Sequence, residues 1–497
     1  MKLIQRIFFL LAVLLTTGVQ AQSYIISPEN IDANGLDYAK VIGQDEEGIY
    51  LLMSNLSLDS FRDRFGLRTR KYELSYFDFN LKQKWKRELS AQPSSGNIES
   101  ISYFNGQVVM ITGDRDKSTG DILLYTDVIN AKGEYTVTQK KIYQSTLLKG
   151  ADPKKARVVL SPDKTKLGIA VESPYNEGIQ IHFCSISENF APSKQMNAVI
   201  PYTNKDAELS DFAMSNNEDL LFLCYRKQES EEKEKRKLRN FSLQYLAQGS
   251  NSFKEFVFNN LSQMMTEAAL VIDRINNKAI VTGFFADKTS YAGASLLYGT
   301  LDLKNPSELK IAVGKLTNDA QTKLIGQRNT GAGVSLYAYP IQRVIPRSDG
   351  GALVIAEAAY LSEYSFYDYF TQTFNRRIEF HFDNILALSV NKDGSIHWSQ
   401  LIQKEQTSMD DEGLYSSFNT ILTPEELSVI FNNDIGRNNE IVGHHINAQG
   451  KLAVKRYSRP GDSISILPRG GKQVDETTFI VPAVTKKRLF LMKVEIE

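Results

Sequence analysis

Short apolar runs bounded by turn-forming residues recur along the whole chain. The runs are five to eight residues long, rich in Val, Ile, Phe and Tyr, and flanked by Gly, Asn, Asp or Pro. Runs of this length and composition are typical of β-strands, and no stretch shows convincing helical periodicity of its apolar positions. The pattern therefore predicts an all-β protein.

One unit of this pattern, a polar turn followed by an apolar strand, occurs eight times. The copies begin at residues 46, 105, 163, 216, 276, 349, 424 and 475. A short strand precedes most copies and a hairpin of two more strands follows, as in "ILALSVNKDGSIHWSQLI" at 385–402. Four antiparallel strands per repeat predict the blade of a β-propeller, because small sheets stacked around an axis cover each other's apolar faces.

The two ends of the chain predict a shared blade. The last repeat has only three strands and ends in "RLFLMKVEIE" (488–497), whereas a strand-like stretch, "QSYIISPEN" (22–30), precedes the first repeat. Pairing the two would close the ring and cover exposed strand edges. We therefore expect residues 22–497 to form a single eight-bladed β-propeller domain. A seven-bladed ring, in which residues 208–260 are an insertion, is the alternative.

The N-terminus has the pattern of an export signal. Lys2 and Arg6 precede an apolar stretch at 7–15, and small residues follow up to Ala21. The stretch has about nine residues, whereas a membrane-spanning helix needs roughly twenty. We therefore expect residues 1–21 to be a signal peptide. The rest, with no transmembrane segment, would be exported to the periplasm or outer membrane, or secreted.

Charge and cysteine content narrow the classes of partner. Lys plus Arg and Asp plus Glu number 58 each, so no net field attracts nucleic acid or an anionic membrane surface. The two cysteines, Cys184 and Cys224, are too few for a disulfide framework and lie in apolar runs, which predicts buried free thiols. The charge-rich stretch at 226–239 predicts a solvated hairpin end.

An aromatic-rich segment interrupts the sixth repeat. Residues 360–382, "YLSEYSFYDYFTQTFNRRIEFHF", carry nine aromatic residues in twenty-three, against 10% in the whole chain. We expect 358–382 to be an insertion that forms a long hairpin, with Tyr360, Tyr364 and Phe366 on one face, whereas Tyr367, Tyr369 and Phe370 begin to populate the other. The candidate partner-binding residues are Tyr360, Tyr364, Phe366, Tyr367, Tyr369, Phe370 and Phe374.

Exposed rings on a projecting hairpin favour a contact site, since a two-stranded ribbon cannot bury both of its faces. Tyr supplies apolar area while its hydroxyl stays hydrated, which is why interfaces are rich in it. A partner protein is the expected ligand, and a glycan stacked on the rings is the alternative. In the structural alternative, the ribbon folds down over the propeller rim and buries its rings.

The only two tryptophans occupy equivalent places in their hairpins. Trp85 ends "FDFNLKQKW" and Trp398 ends "VNKDGSIHW". This spacing resembles the tryptophan-docking repeat of the quinoprotein-like propellers, which include pyrroloquinoline-quinone dehydrogenases and a scaffold subunit of the bacterial outer-membrane protein assembly machinery. Two of the eight repeats carry it, and no cluster of quinone ligands accompanies it. The resemblance therefore implies the scaffold branch, and the structural alternative is an indole that packs between blades.

A second resemblance covers residues 398–439. The segment "WSQLIQKEQTSMDDEGLYSSF" and the later "VIFNNDIGRNN" resemble a pattern of uncharacterised exported bacterial propellers. In that pattern a tryptophan, a Lys-x-Gln, a run of glycine, tyrosine and two serines, and an Asn-rich strand end follow in order. The resemblance implies no function. If these loops converge, a polar loop cluster would share one face and its oxygens would suit calcium. Its members are Asp410, Asp411, Glu412, Asn432, Asn433 and Asp434.

A second oxygen-rich turn, "DRDKSTGD" (114–121), is a weaker candidate for a metal site. Its potential ligands are Asp114, Asp116, Ser118 and Asp121. Its glycine comes one position later than in a calcium loop, and Tyr125 stands where a bidentate Glu would be required. Calcium is thus the one candidate metal, and the expected binding function needs no cofactor.

Catalytic motifs are sparse. Four of the five histidines, His381, His397, His444 and His445, lie in the last quarter of the chain, without a zinc-ligand spacing. A Gly-x-Ser-x-Gly nucleophile motif is absent from the sequence. A propeller can assemble paired acids from distant blades, and Glu357, Asp410 and Asp411 are the first candidates for such acids.

The sequence thus predicts a non-catalytic binding or scaffold module of the bacterial cell envelope. It would contact another envelope protein or complex through propeller loops and the aromatic hairpin. The alternative is a polysaccharide hydrolase or lyase with acidic residues at the channel mouth.

Overall fold

The structure is a computed structural model. It describes residues 24–496 except 34, 56–70, 177, 203–206, 227–239, 259–262, 288–294, 317, 319–335, 337–338, 369, 371, 436–438, 459–462 and 486–487. The predicted signal peptide and most of the charge-rich stretch at 226–239 lie outside the described residues. Within them, no helix combines the length and apolarity that a membrane span requires.

The described residues form eight antiparallel sheets, each built on four strands. Strand β1 (Tyr24–Ile26) comes first along the chain. Sheets 1 and 2 contain β2 (Tyr38–Gln44), β3 (Gly48–Ser54), β4 (Tyr72–Asp78), β5 (Gln83–Leu89), β6 (Asn97–Phe104), β7 (Gln107–Arg115), β8 (Ile122–Ile129) and β9 (Tyr135–Ser145). Sheets 3 and 4 contain β10 (Arg157–Leu160), β11 (Lys166–Tyr175), β12 (Gly178–Ser187), β13 (Pro192–Ile200), β14 (Ala207–Met214), β15 (Leu220–Arg226), β16 (Asn240–Leu246) and β17 (Lys254–Val257).

The second half of the chain repeats this arrangement. Sheets 5 and 6 contain β18 (Gln263–Asp273), β19 (Lys278–Asp287), β20 (Ser295–Asp302), β21 (Leu309–Lys315), β22 (Ile341–Pro346), β23 (Ala352–Asp368), β24 (Thr373–Val390), β25 (Ile396–Ile402) and the short β26 (Thr407–Met409). Sheets 7 and 8 contain β27 (Asn419–Leu422), β28 (Glu426–Asn432), β29 (Ile441–Asn447), β30 (Leu452–Arg456), β31 (Ile464–Ile466), β32 (Lys472–Gln473), β33 (Thr478–Thr485) and β34 (Arg488–Glu495), with a 3-10 helix at Pro468–Gly470.

Burial follows the position of each strand in its sheet. The second strand is apolar on both faces, and every residue of β3 is buried. The fourth strand alternates, and β5 has half-buried and exposed residues in turn until its buried last residue. A strand covered by sheets on both sides reads as a continuous apolar run, whereas an outer strand is half solvated. This difference explains why the apolar runs of the eight sequence repeats are all second strands.

Eight apolar clusters lie between consecutive sheets. One contains Tyr50 of sheet 1 and Val108 of sheet 2, and equivalent clusters join each later pair up to sheets 7 and 8. The eighth cluster contains Leu51 of sheet 1 and Leu491 of sheet 8. Each sheet therefore packs against two neighbours, an arrangement consistent with an eight-bladed β-propeller.

Sheet 8 combines the two ends of the chain. Strand β1 pairs with β34, and Tyr24 lies opposite Val494. Ser27 extends the pairing by donating its backbone N–H to the carbonyl of Leu491 at 2.8 Å. The predicted pairing of the N-terminal strand with the C-terminal blade is thus present. Residues 207–257 form sheet 4, so the four strands there are a repeat and not an insertion.

The first strands of five sheets each carry a β-bulge. The bulged residues are Ile42, Glu99, Ser210, Thr266 and Gln342. Polar side chains at or beside these bulges bond to the next sheet. For example, Asp211 accepts the backbone N–H of Leu270 at 2.9 Å, and Glu99 accepts that of Ala156 at 2.9 Å. A bulge redirects side chains, and the redirected side chains form hydrogen bonds that link neighbouring sheets at their first strands.

Candidate functional site

The aromatic segment forms a ribbon that projects from sheet 6. Strands β23 and β24 stay paired from Ala352↔Val390 to Asp368↔Thr373. The flanking strands stop much earlier, because β22 reaches only Ala356 and β25 pairs only with 385–390. Residues 358–382, named here the aromatic ribbon, therefore extend roughly 35 Å beyond the ordinary sheet at the usual rise per strand residue.

The base of the aromatic ribbon is held by a third strand. The short β26 pairs with β24 between Glu379 and His381. Asp410 continues this contact, since its carboxylate accepts the backbone N–H of Ile378 at 3.1 Å and its own N–H donates to the carbonyl of Ile378 at 3.0 Å. In the described part of the ribbon, β23 and β24 alone pair beyond Ile378, and the tip reaches β26 through the contact of the Tyr364 hydroxyl with Met409 at 3.8 Å.

Rings occupy both faces of the ribbon, and five of those described are exposed, whereas Phe380 near the base is buried. The register places Tyr360, Tyr364 and Phe366 on one face and Tyr367 and Phe374 on the other, as strand alternation predicts. Phe366 is half-buried, and Tyr369 lies outside the described residues. The exposed fractions are 40% for Tyr360, 40% for Tyr364, 40% for Tyr367, 79% for Phe374 and 102% for Phe370 at the turn. Among the described residues, the rim of the propeller does not cover these five rings, in contrast to the structural alternative.

The rings pack against one another in pairs. Tyr360 stacks on His381 with ring centroids 4.5 Å apart, and Tyr367 meets Phe374 at 5.1 Å. The guanidinium carbon of Arg377 lies 5.5 Å from the centre of the Phe366 ring. These contacts fix the rings in place without covering them, because each partner belongs to the ribbon itself.

A buried ion pair lies where the ribbon joins its sheet. Glu357 and Lys404 are separated by 2.8 Å, and neither side chain has any exposed surface. The Ser417 hydroxyl donates to Glu357 at 2.5 Å, and Lys404 also donates to the carbonyl of Phe382 at 2.6 Å. Burial raises the pKa of Glu357 and lowers that of Lys404, and the attraction between the two opposes both shifts.

The same polar contacts continue into the next two sheets. Lys404 donates to the Gln406 side chain at 2.8 Å, and Gln406 donates to the carbonyl of Asn432 at 2.5 Å. The Asn432 amide exchanges two hydrogen bonds with Ile466, of 2.8 and 3.0 Å. We name Glu357, Lys404, Gln406, Ser417 and Asn432 the junction network, because it links sheets 6, 7 and 8.

This network changes the interpretation of Glu357. The sequence suggested it as an acid at a channel mouth, together with Asp410 and Asp411. The structure places Glu357 in the protein interior, where it cannot meet a substrate. Asp411 accepts the backbone N–H of Gly413 at 2.8 Å, which is a turn contact.

The other members of the polar loop cluster are dispersed. Asn432 is buried in the junction network, whereas Asn433 and Asp434 are exposed. The carbonyl of Glu412 accepts a hydrogen bond from Arg469 at 2.7 Å. The described residues contain no group of three or more His, Cys, Asp and Glu side chains that could hold a metal ion. Calcium binding at the loop cluster stays a prediction.

The turn at 114–121 uses its oxygens internally. Asp116 accepts the backbone N–H of Ser118 at 2.8 Å and its hydroxyl at 2.6 Å. Asp114 accepts the Ser95 hydroxyl at 2.7 Å, and Asp121 accepts the Gln144 amide at 2.8 Å. The bonds of Asp116 define an Asx-type turn, in which a carboxylate accepts backbone N–H groups of the same turn.

The two tryptophans make the same contact with the following sheet. Trp85 donates to the carbonyl of Ala131 at 2.6 Å, and Trp398 donates to that of Ala448 at 3.1 Å. Each indole covers a turn glycine with positive φ, where an added Cβ would lie 3.0 Å from Trp85 at Gly133. Both tryptophans therefore pack between blades, which is the structural alternative stated from the sequence.

The two cysteines and His445 are buried in the protein interior. Cys184 and Cys224 are buried free thiols, as predicted, and burial raises the pKa of both. His445 contacts Ser428 at 2.8 Å and Glu426 at 2.5 Å, a set of residue types that suggests a catalytic triad. Both partners contact the same ring nitrogen, Nδ1, whereas a triad needs one partner at each nitrogen.

Sequence reasoning missed the junction network as a unit. The signal was present in part, since the Lys-x-Gln and the Asn-rich strand end belong to the pattern at 398–439. Nothing in the sequence indicates that Lys404 pairs with Glu357, because Glu357 lies 47 positions earlier, in β23.

Comparison with known proteins adds little beyond the type of fold. No family model matches the chain, and no curated protein matches its sequence. Similar solved structures include the polysaccharide lyase Uly1, with a TM-score of 0.37, 10% identity and coverage of 81% of this chain and 90% of that chain. The β-propeller domain of the Trilobed protease from Pyrococcus furiosus has a TM-score of 0.33, 9% identity and coverage of 86% and 98%. A Synechocystis apocarotenoid oxygenase mutant has a TM-score of 0.33 and 10% identity, with coverage of 96% of this chain and 95% of that chain. Likenesses this weak carry no argument about activity.

Proposed function

We propose that this protein is an exported binding module of the bacterial cell envelope and that the aromatic ribbon contacts a partner protein. The eight sheets would close into a ring through the β1 pairing and serve as the rigid support. The observation that carries the proposal is a projecting ribbon whose rings remain exposed on both faces.

The exposed rings are the first support. A solvated ribbon gains nothing from this many rings unless something covers them, because exposed apolar patches on soluble proteins mark contact sites. Tyr and Phe also lose little conformational entropy on binding, since each has two side-chain torsions. Ring pairs such as Tyr367 with Phe374 are already arranged before a partner arrives, which lowers the ordering cost of association.

The rigid base is the second support. The third strand and the junction network hold the ribbon where it leaves sheet 6, so the ribbon presents its rings at a fixed position. A binding element on a rigid support is positioned more accurately than one on a loose loop. Because the rings lie on both faces, a partner protein whose cleft encloses the ribbon would cover more of them than a partner with a flat surface.

Site-specific photo-crosslinking in intact cells tests the proposal. A photoreactive amino acid at Phe370 or Phe374 should yield a discrete protein adduct, identified by mass spectrometry. The matched control is Ile275, an apolar side chain that is 71% exposed in a turn of sheet 5, and it should yield none. The same adducts at all three positions, or no protein adduct at the ribbon positions, would contradict the proposal. Adducts with glycan alone would replace the partner protein by a sugar ligand.

A further inference from the structure

A cavity of about 620 Å³ lies among strands of four sheets, and no residue of the aromatic ribbon lines it. Its walls come from β2 of sheet 1, β22 of sheet 6, β27 of sheet 7 and the segment around β32 of sheet 8. The polar residues of its lining include Lys40, Arg343, Asn419, Thr420, Lys472 and Asp475. The junction network does not line this central cavity, which therefore forms a separate site.

The lining is unbalanced in charge. It contains three cationic residues, Lys40, Arg343 and Lys472, and one acidic residue, Asp475. Asp475 is committed to its own turn, since it accepts the backbone N–H groups of residues 477 and 478 at 2.9 and 2.6 Å. The salt bridges found among the described residues include none of the three cations.

Neighbouring contacts fix the walls of the cavity. Arg343 donates to the hydroxyl and carbonyl of Thr420 in the next sheet, which anchors its guanidinium. The Asn419 amide donates to the carbonyls of Pro468 and Gly471, both at 2.8 Å, and so holds the segment that carries Lys472. The cations are therefore held near one another by the fold.

The cations repel one another. Burial lowers the pKa of Lys472, and the positive charges of Lys164, Lys40 and Arg343 lower it further. Lys164 belongs to the turn between β10 and β11 of sheet 3, so charge reaches this point from several blades. Like charges held together in a partly desolvated space favour the uptake of an anion, which removes the repulsion.

We propose that the central cavity binds a small multivalent anion with carboxylate, phosphate or sulfate groups, held between Lys40, Arg343 and Lys472. The volume is within the range of small-molecule sites, which is roughly 300–1,000 Å³. Arg343 supplies a planar fork that matches such groups, and the two lysines supply point charges. This site is independent of the ribbon and of its partner.

The test is titration of the purified full chain with citrate, inorganic phosphate and sulfate at constant ionic strength, followed by calorimetry and by melting temperature. We expect saturable binding of at least one of the three anions, with a rise in melting temperature. Lys472→Met and Arg343→Gln should each weaken it at least tenfold, and Lys472→Arg should retain it. The matched control, Lys132→Met in an exposed turn of sheet 2, should bind as the unaltered protein does.

Two results would overturn the proposal. One is the absence of saturable binding for all three anions in the unaltered protein. The other is binding that Lys472→Met and Arg343→Gln leave unchanged. Folding of the variants is checked by their melting temperature without anion, which should not fall in Lys472→Met because that change removes a repelled charge. Since ribbon crosslinking and anion titration have separate readouts, failure of one leaves the other proposal standing.

Discussion

The junction network and the central cavity both gather charged side chains inside the protein, but only the first compensates its charge. Lys404 has a carboxylate at 2.8 Å and two further acceptors, and Glu357 has a hydroxyl donor besides. The cavity cations have each other as neighbours, and the one carboxylate in their lining bonds elsewhere. Removing one member of a buried ion pair strongly destabilises a fold, whereas unpaired charges gathered in a cavity mark a candidate ligand site.

Breaking the compensated pair should have the largest effect. Lys404→Met should lower the free energy of unfolding by about 3–5 kcal/mol, because it leaves Glu357 buried without its counter-ion. Urea denaturation measures the change. The double variant Glu357→Gln with Lys404→Met removes both charges and should recover a large part of the loss. A single variant that loses less than about 1 kcal/mol would show that the pair is not a structural element.

A third buried titratable group, His182, is uncharged at neutral pH and serves as a comparison for the two charged regions. His182 has no exposed surface, its Nε2 lies 2.8 Å from the Ser173 hydroxyl, and burial lowers its pKa to about 4. The unfolded chain binds a proton near pH 6.5, so stability is present above that pH and is lost as pH falls toward 4. We expect a loss of up to about 3 kcal/mol over this window.

Thermal or urea unfolding at pH 7 and pH 4 measures this acid sensitivity. His182→Gln should remove most of the difference between the two pH values, whatever its effect at pH 7. An equal difference in both proteins would assign the acid sensitivity to other groups.

The smallest effect should come from the uncompensated cations. Lys472→Met should leave the stability unchanged or raise it by at most about 1 kcal/mol, because a repelled charge in a partly desolvated cavity is lost. The lowered pKa of Lys472 means that the unaltered protein gains stability as pH rises toward the ordinary lysine pKa of about 10.4. Urea midpoints measured between pH 7 and pH 10 should show a weaker rise in the variant. A clear loss of stability would place Lys472 in a structural role.

Much of the aromatic ribbon could be predicted from the sequence. Strand alternation is local, so the faces of Tyr360, Tyr364 and Tyr367 follow from their numbers alone. The length of the ribbon followed from the same repeat pattern, because the sixth repeat has more residues between its second and third strands than most others. The exposure of the rings did not follow, since the rim could have covered them.

The two charged regions could not be predicted. Lys404, Gln406 and Asn432 stood out as a pattern, but their role depends on Glu357 and Ile466, which come from other sheets. Lys40, Arg343 and Lys472 carry no local signal at all, because each is separated from the next by more than a hundred residues and they meet only in the cavity.

By itself, the sequence determined the strands, their eightfold repetition and the pairing of the two ends, because these depend on which residues are apolar within a few positions of one another. The tertiary structure alone decided which charges are neutralised and which are left facing a cavity. The physical reason is that Coulomb interactions depend on distance in space and on exclusion of water, and packing eight sheets side by side sets both.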